Sequence, residues 1–155
     1  GRFGGLHGGS GNLVNCENYG EVKIENANAS SAIGGIAGFH SNGKKVEGCI
    51  SKGNVTSVST ITGGIGGLIG NMGNVDHTTG ENCVVDCTIV GGSVTNAGMV
   101  VGKFNGPAEG AERKRIVLGP LEVSGTVNGN PASASNLCGT DNYVPEYHTI
   151  NATIK

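Results

Sequence analysis

The sequence predicts an all-β chain: a right-handed parallel β-solenoid (β-helix) of about four coils plus a partial C-terminal coil. Three observations lead there. A Gly-rich motif returns at a nearly fixed interval, as "GGLHG" (4–8), "GGIAG" (34–38), "GGLIG" (66–70), "GMVVG" (98–102) and a last "NLCG" (136–139). The closing glycines, Gly8, Gly38, Gly70, Gly102 and Gly139, are 30, 32, 32 and 37 residues apart. Between copies, apolar residues alternate with small or polar ones, which is the period of a strand. Helix is disfavoured throughout, because 30 glycines punctuate 155 residues, and each costs a helix about 1 kcal/mol.

A unit of this length with about three short strands fits one coil of a solenoid. Coils stacked about 4.8 Å apart pair each strand with its equivalents above and below. Glycine belongs at the sharp corners, or where no side chain fits. Ile65, Leu68 and their equivalents are predicted to point inward. Right-handedness follows from the general rule for parallel crossovers.

The units run near 3–32, 33–62, 63–95 and 96–133, with a partial one at 134–141. Each Gly motif is followed by a second block: "LVNCENYGEV" (13–22), "VEGCISKGNV" (46–55), "VVDCTIVGGSV" (84–94) and "LGPLEVSGTV" (118–127). Aligning these places Cys16, Cys49, Cys87 and Leu121 in one interior ladder. The last segment, "NYVPEYHTINATIK" (142–155), breaks the pattern and is expected to cap the stack. The whole reads as one domain of a larger protein.

The combination of GGL-x-G, an apolar-x-x-Cys step and Gly-x-Val resembles the GLUG repeat family, over about residues 3–127. The resemblance is good in three units and weaker in the fourth, where Leu121 replaces Cys. It implies an extracellular or cell-surface bacterial repeat module, structural or adhesive, with no catalytic motif to carry over.

Composition narrows the chemistry. A net charge of −2 with 14% charged residues supplies no basic face for nucleic acid. No apolar run is long enough to insert into a membrane. Five cysteines (16, 49, 83, 87 and 138) make a poor disulfide framework. Buried thiols are the expectation, and a zinc site lacks converging ligands. "GFHSNGKK" (38–45) fails as a phosphate loop, because Lys45 stands where Ser or Thr is needed and no helix follows. No cofactor is implied.

Binding residues are sought in the links between the two blocks, which share one edge of a solenoid. Residues 71–82 carry Asp76, His77 and Glu81. Residues 103–115 carry Lys103, Phe104, Arg113, Lys114 and Arg115. Such an edge points to contact with glycan or a partner protein, and the resemblance implies that this happens at a cell surface. The alternative is a carbohydrate-active β-helix enzyme, of polysaccharide lyase or glycoside hydrolase type, with paired carboxylates among Asp76, Glu81 and Asp86.

Overall fold

The computed structural model describes residues 1–9, 11–41, 44–73, 77–91, 96–105, 110, 112, 114–141 and 148–155. Among these, every regular element is a strand, and the strands stack in parallel as a β-solenoid of about four turns. The first face is built from β1 (Arg2–Gly4), β5 (Ala32–Gly34), β10 (Ile65–Gly66) and β14 (Ala97–Gly98). The second is built from β6 (Ala37–His40), β11 (Ile69–Met72), β15 (Val101–Phe104) and β18 (Cys138–Asp141).

The third face carries the Cys blocks. It starts as short pieces in the first two rungs: β2 (Leu13–Val14), β3 (Glu17–Asn18) and β4 (Val22–Ile24), then β7 (Val46–Glu47), β8 (Ile50–Ser51) and β9 (Val55–Ser57). It continues as β12 (His77–Thr79) and β13 (Cys83–Gly91), β16 (Ile116–Val127) and β19 (His148–Ile154). A short β17 (Asn130–Pro131) folds back antiparallel on the end of β16.

The register follows the glycine spacing. Gly4, Gly34, Gly66 and Gly98 stand in one ladder, and Ala37, Ile69, Val101 and Cys138 in another. Physical necessity explains the glycines at the first corner. A Cβ on Gly34 would lie 1.9 Å from the Ala37 carbonyl oxygen, and one on Gly66 would lie 2.0 Å from that of Ile69. The backbones of the first and second faces touch there, and any side chain would wedge them apart. Between them Ile36, Leu68 and Val100 turn fully inward. Their amides bond the carbonyls of the next rung, Ile36 to Leu68 at 3.1 Å and Leu68 to Val100 at 3.1 Å. The run GGIGGLIG is therefore held by its neighbours on both sides.

The core lies inside these three faces. Ile33, Ile65, Ile69, Met72, Val85, Ile89, Phe104, Leu118 and Val123 are fully enclosed. Each such side chain contributes roughly 1.5–3 kcal/mol. Along β13 the burial alternates, with Cys83, Val85, Cys87 and Ile89 inside, as a half-buried strand requires.

One expectation is corrected here. Cys87 is not in the ladder with Cys49 and Leu121; that place belongs to Cys83, which pairs with Leu121, while Cys87 pairs with Gly125. The Cys49 carbonyl accepts from the Val84 amide at 2.9 Å, fixing the same register from the other side. The cause is a left-handed residue just before each ladder position: Asn15 (φ 53°), Gly48 (φ 61°) and Asn82 (φ 55°). Asn and Gly are the residues that take this conformation at low cost. Residues 148–154, within the segment expected to cap the stack, form its last described strand. β19 pairs in parallel with β16, His148 beside Ile116 and Ala152 beside Leu121, with a register shift between Leu118 and Leu121.

Candidate functional site

The links converge on one edge, and the ladders show why. His40, Met72, Phe104 and Asp141 pair in succession where the second face ends. The chain rejoins the stack at His77, Ile116 and His148, which are again paired neighbours. Each link thus leaves and returns at one side of the solenoid, whatever its length.

The bases of two links are tied together. The Asn105 side-chain amide donates to Asn71 Oδ1 at 2.6 Å, and Asn71 Nδ2 donates to the Gly63 carbonyl at 2.9 Å. Asn71 is itself buried, so this chain of bonds satisfies a polar group that would otherwise be costly.

The predicted binding residues are not brought together in one place. Lys114 (half-buried) and Arg115 (exposed) lie where the fourth link rejoins the stack. Lys44 and Lys45, both exposed and outside the predicted set, occupy the corresponding edge two links earlier in the stack. Lys45 Nζ lies 3.7 Å from a Glu47 carboxylate oxygen on the surface, a pair worth little in water. Lys103 is turned elsewhere: its ammonium donates to the Thr62 carbonyl at 3.4 Å.

Phe104 is a correction. It is fully buried in the core, in the ladder position of Met72, and has no surface to offer a ligand. Arg113 and Asp76 lie outside the described residues, and His77 is described only as a backbone member of β12. Glu81 is half-buried and bridges Glu47 through its backbone. Asp86 sits on the outward, exposed row of β13.

The interior holds a second chemical feature, a file of thiols. Cys16, Cys49 and Cys83 occupy consecutive rungs; the Ile50 amide donates to the Cys16 carbonyl at 2.8 Å. Cys49 and Cys83 are buried and Cys16 is half-buried. Cys49 Sγ contacts the Leu13 carbonyl at 3.3 Å and the Glu47 carbonyl at 3.4 Å, while the Cys49 amide donates to Cys83 Sγ at 3.4 Å. A hydrogen bond from Cys83 pulls the Cys49 thiol below the usual range, against burial, and the same bond pushes Cys83 up. Burial pushes Cys87 up to about 11; its Sγ lies 3.2 Å from the Ser51 carbonyl.

The sequence pattern held the information to find Cys83. The common step is Cys-x3-Gly-x-Val, as in Cys16–Val22 and Cys49–Val55. Cys83 begins that step in the third unit, with Cys87 in the Gly place and Ile89 in the Val place. An Asn or Gly before the Cys marks it too, whereas Cys87 follows Asp86.

Two open depressions have no Lys or Arg in their lining. One, of about 390 Å³, is lined by Asn82, Pro120 and Thr153 among others. The other, of about 590 Å³, lies beneath the fold-back at Asn130–Pro131. Among the described residues, no three His, Cys, Asp or Glu side chains converge as metal ligands, and no helix is long and apolar enough to cross a membrane. No protein-family model, curated protein or solved structure matches this chain.

Proposed function

We propose that this chain is a non-catalytic structural and adhesive module of a bacterial cell-surface or secreted protein, and that it binds acidic glycan at its link-bearing edge. The observation that supports this reading is the convergence of the links on one side of a stiff stack. Lys44, Lys45, Lys114 and Arg115 belong to that side. A scaffold of this kind sets the two basic pairs two rungs apart along one edge, which matches an extended polyanion better than a compact substrate. The resemblance of residues 3–127 to GLUG repeats supports the extracellular bacterial setting.

The test is binding to an immobilised sulfated polysaccharide at two salt concentrations. The double variant Lys114→Ala with Arg115→Ala removes two surface charges, each worth up to about 1 kcal/mol. The expected result is a loss of affinity of about tenfold, with wild-type binding falling as salt rises. Equal binding by wild type and variant defeats the proposal.

A further inference from the structure

The thiol file carries an inference independent of the glycan reading. We propose that Cys16 and Cys49 are a thiol-modification site, joined across the first two rungs by a disulfide when the chain meets a low-molecular-weight disulfide. Three observations lead to this pair. The residues are direct ladder neighbours, shown by the Ile50 amide bonding the Cys16 carbonyl at 2.8 Å. Adjacent strands lie about 4.8 Å apart, within the Cα separation that a disulfide spans, about 4.4–6.8 Å. Both thiols lie against the same turn, Cys16 Sγ 3.4 Å from the Val14 carbonyl oxygen and Cys49 Sγ 3.3 Å from that of Leu13.

Access decides which thiol reacts first. Cys16 is half-buried in the first rung, where Leu13, Val22 and Ile24 are also only half-buried. Cys49 is fully enclosed. Cys16 therefore meets the reagent and Cys49 resolves the product. The Cys16 thiolate attacks one sulfur of a disulfide R–S–S–R, breaking that bond and releasing R–S⁻, which takes up the proton. The Cys49 thiolate then attacks the Cys16 sulfur of the mixed disulfide, expelling the second R–S⁻. The protein loses two hydrogens as it is oxidised, and R–S–S–R is reduced to two R–SH. Cys49 suits the second step, because the Cys83 hydrogen bond favours its thiolate.

The product joins positions 33 residues apart and fastens the least enclosed rung to the core. A loop of that size is long enough for a cross-link to restrict the unfolded chain strongly. The chain then resists opening from residues 1–30, where reduced protein opens first.

The experiment incubates the purified chain with excess oxidised glutathione, alkylates remaining thiols in denaturant and digests with trypsin. Cleavage after Lys and Arg separates Cys16 (peptide 3–23), Cys49 (46–52) and the Cys83 and Cys87 pair (53–103). The expected result is a disulfide between peptides 3–23 and 46–52, with Cys83 and Cys87 alkylated. Limited proteolysis within residues 1–30 should slow at least tenfold on oxidation, and Cys16→Ser should abolish both effects. Glutathione retained on Cys16, linkage of Cys49 to Cys83, or full alkylation of all thiols would each overturn the proposal.

Discussion

Adding one methyl group at Gly66 should distinguish a stack held by backbone contact from one held by side chains alone. The Cβ of Gly66→Ala would lie 2.0 Å from the Ile69 carbonyl oxygen and 2.8 Å from both the Gly102 nitrogen and the Val100 oxygen. Ordinary contact begins near 3.4 Å, so the Ile69 carbonyl must retreat by more than an ångström. It cannot do so alone. The Ile69 and Leu68 amides both donate to Val100 at 3.0 and 3.1 Å, and the Gly66 carbonyl accepts from Gly35 at 3.1 Å. Overpacking costs about 1–3 kcal/mol, and each buried bond broken adds about 1–3 kcal/mol. We take about 4 kcal/mol as the sum. For a chain of this size each kcal/mol moves Tm by about 2–4 °C, giving a drop of about 8–16 °C in a thermal melt followed by circular dichroism. Gly73→Ala is the control, since its Cβ would meet Phe39 at an ordinary 3.6 Å; its Tm should hold or rise slightly. If Gly66→Ala melts within about 2 °C of wild type, the close-approach argument is wrong.

Phe104→Ala should cost about 3–5 kcal/mol in chemical denaturation, while an excess of polysaccharide should still bind the folded fraction normally. A selective loss of binding with unchanged stability would return Phe104 to the surface. Cys87 gives a pH prediction. Its folded-state pKa is raised from 9.0 to about 11 by burial, so its stabilising contribution is complete below pH 9 and fades as pH rises through 11. At most about 3 kcal/mol is involved. Relative to wild type, Cys87→Ala should therefore lose less stability between pH 8 and pH 11 in urea titrations; parallel pH profiles would count against a buried, protonated thiol. Cys49→Asp should be strongly destabilised, since a single thiol hydrogen bond cannot replace the hydration that a fully buried carboxylate loses, and a native-like melt would contradict the burial of this position.

Much of the fold was legible because it is enforced by backbone contact. A position where two main chains meet accepts only glycine, so the 30-, 32-, 32- and 37-residue intervals in the sequence reappear as the offsets between paired strands, from Arg2–Ala32 to Val101–Cys138. Side-chain assignments were harder wherever two similar residues competed for one place. Cys83 and Cys87 lie on the same strand face, so alternation alone cannot choose between them; the left-handed Asn82 settles the choice. Phe104 sits beside Lys103 in a basic stretch, and local composition masks its burial. Comparison down the ladder reveals it, since Met72 holds the equivalent buried place. The terminal strand was missed for a related reason. Its rung keeps the β-rich "HTINATI" (148–154) but lacks the Gly and Cys markers that identify the earlier units.

Because every link departs from and comes back to the same side, most of the slack in the chain is absorbed there: Met72 to His77 is 5 residues and Phe104 to Ile116 is 12, between paired ends. The step from Val101 to Cys138 carries five more residues than the step from Ile69 to Val101 (37 against 32), yet both pairs remain aligned. Length and composition on that flank are thereby decoupled from folding. New recognition segments can be inserted rung by rung without re-solving the interior, which makes this solenoid a ready frame for grafted peptides.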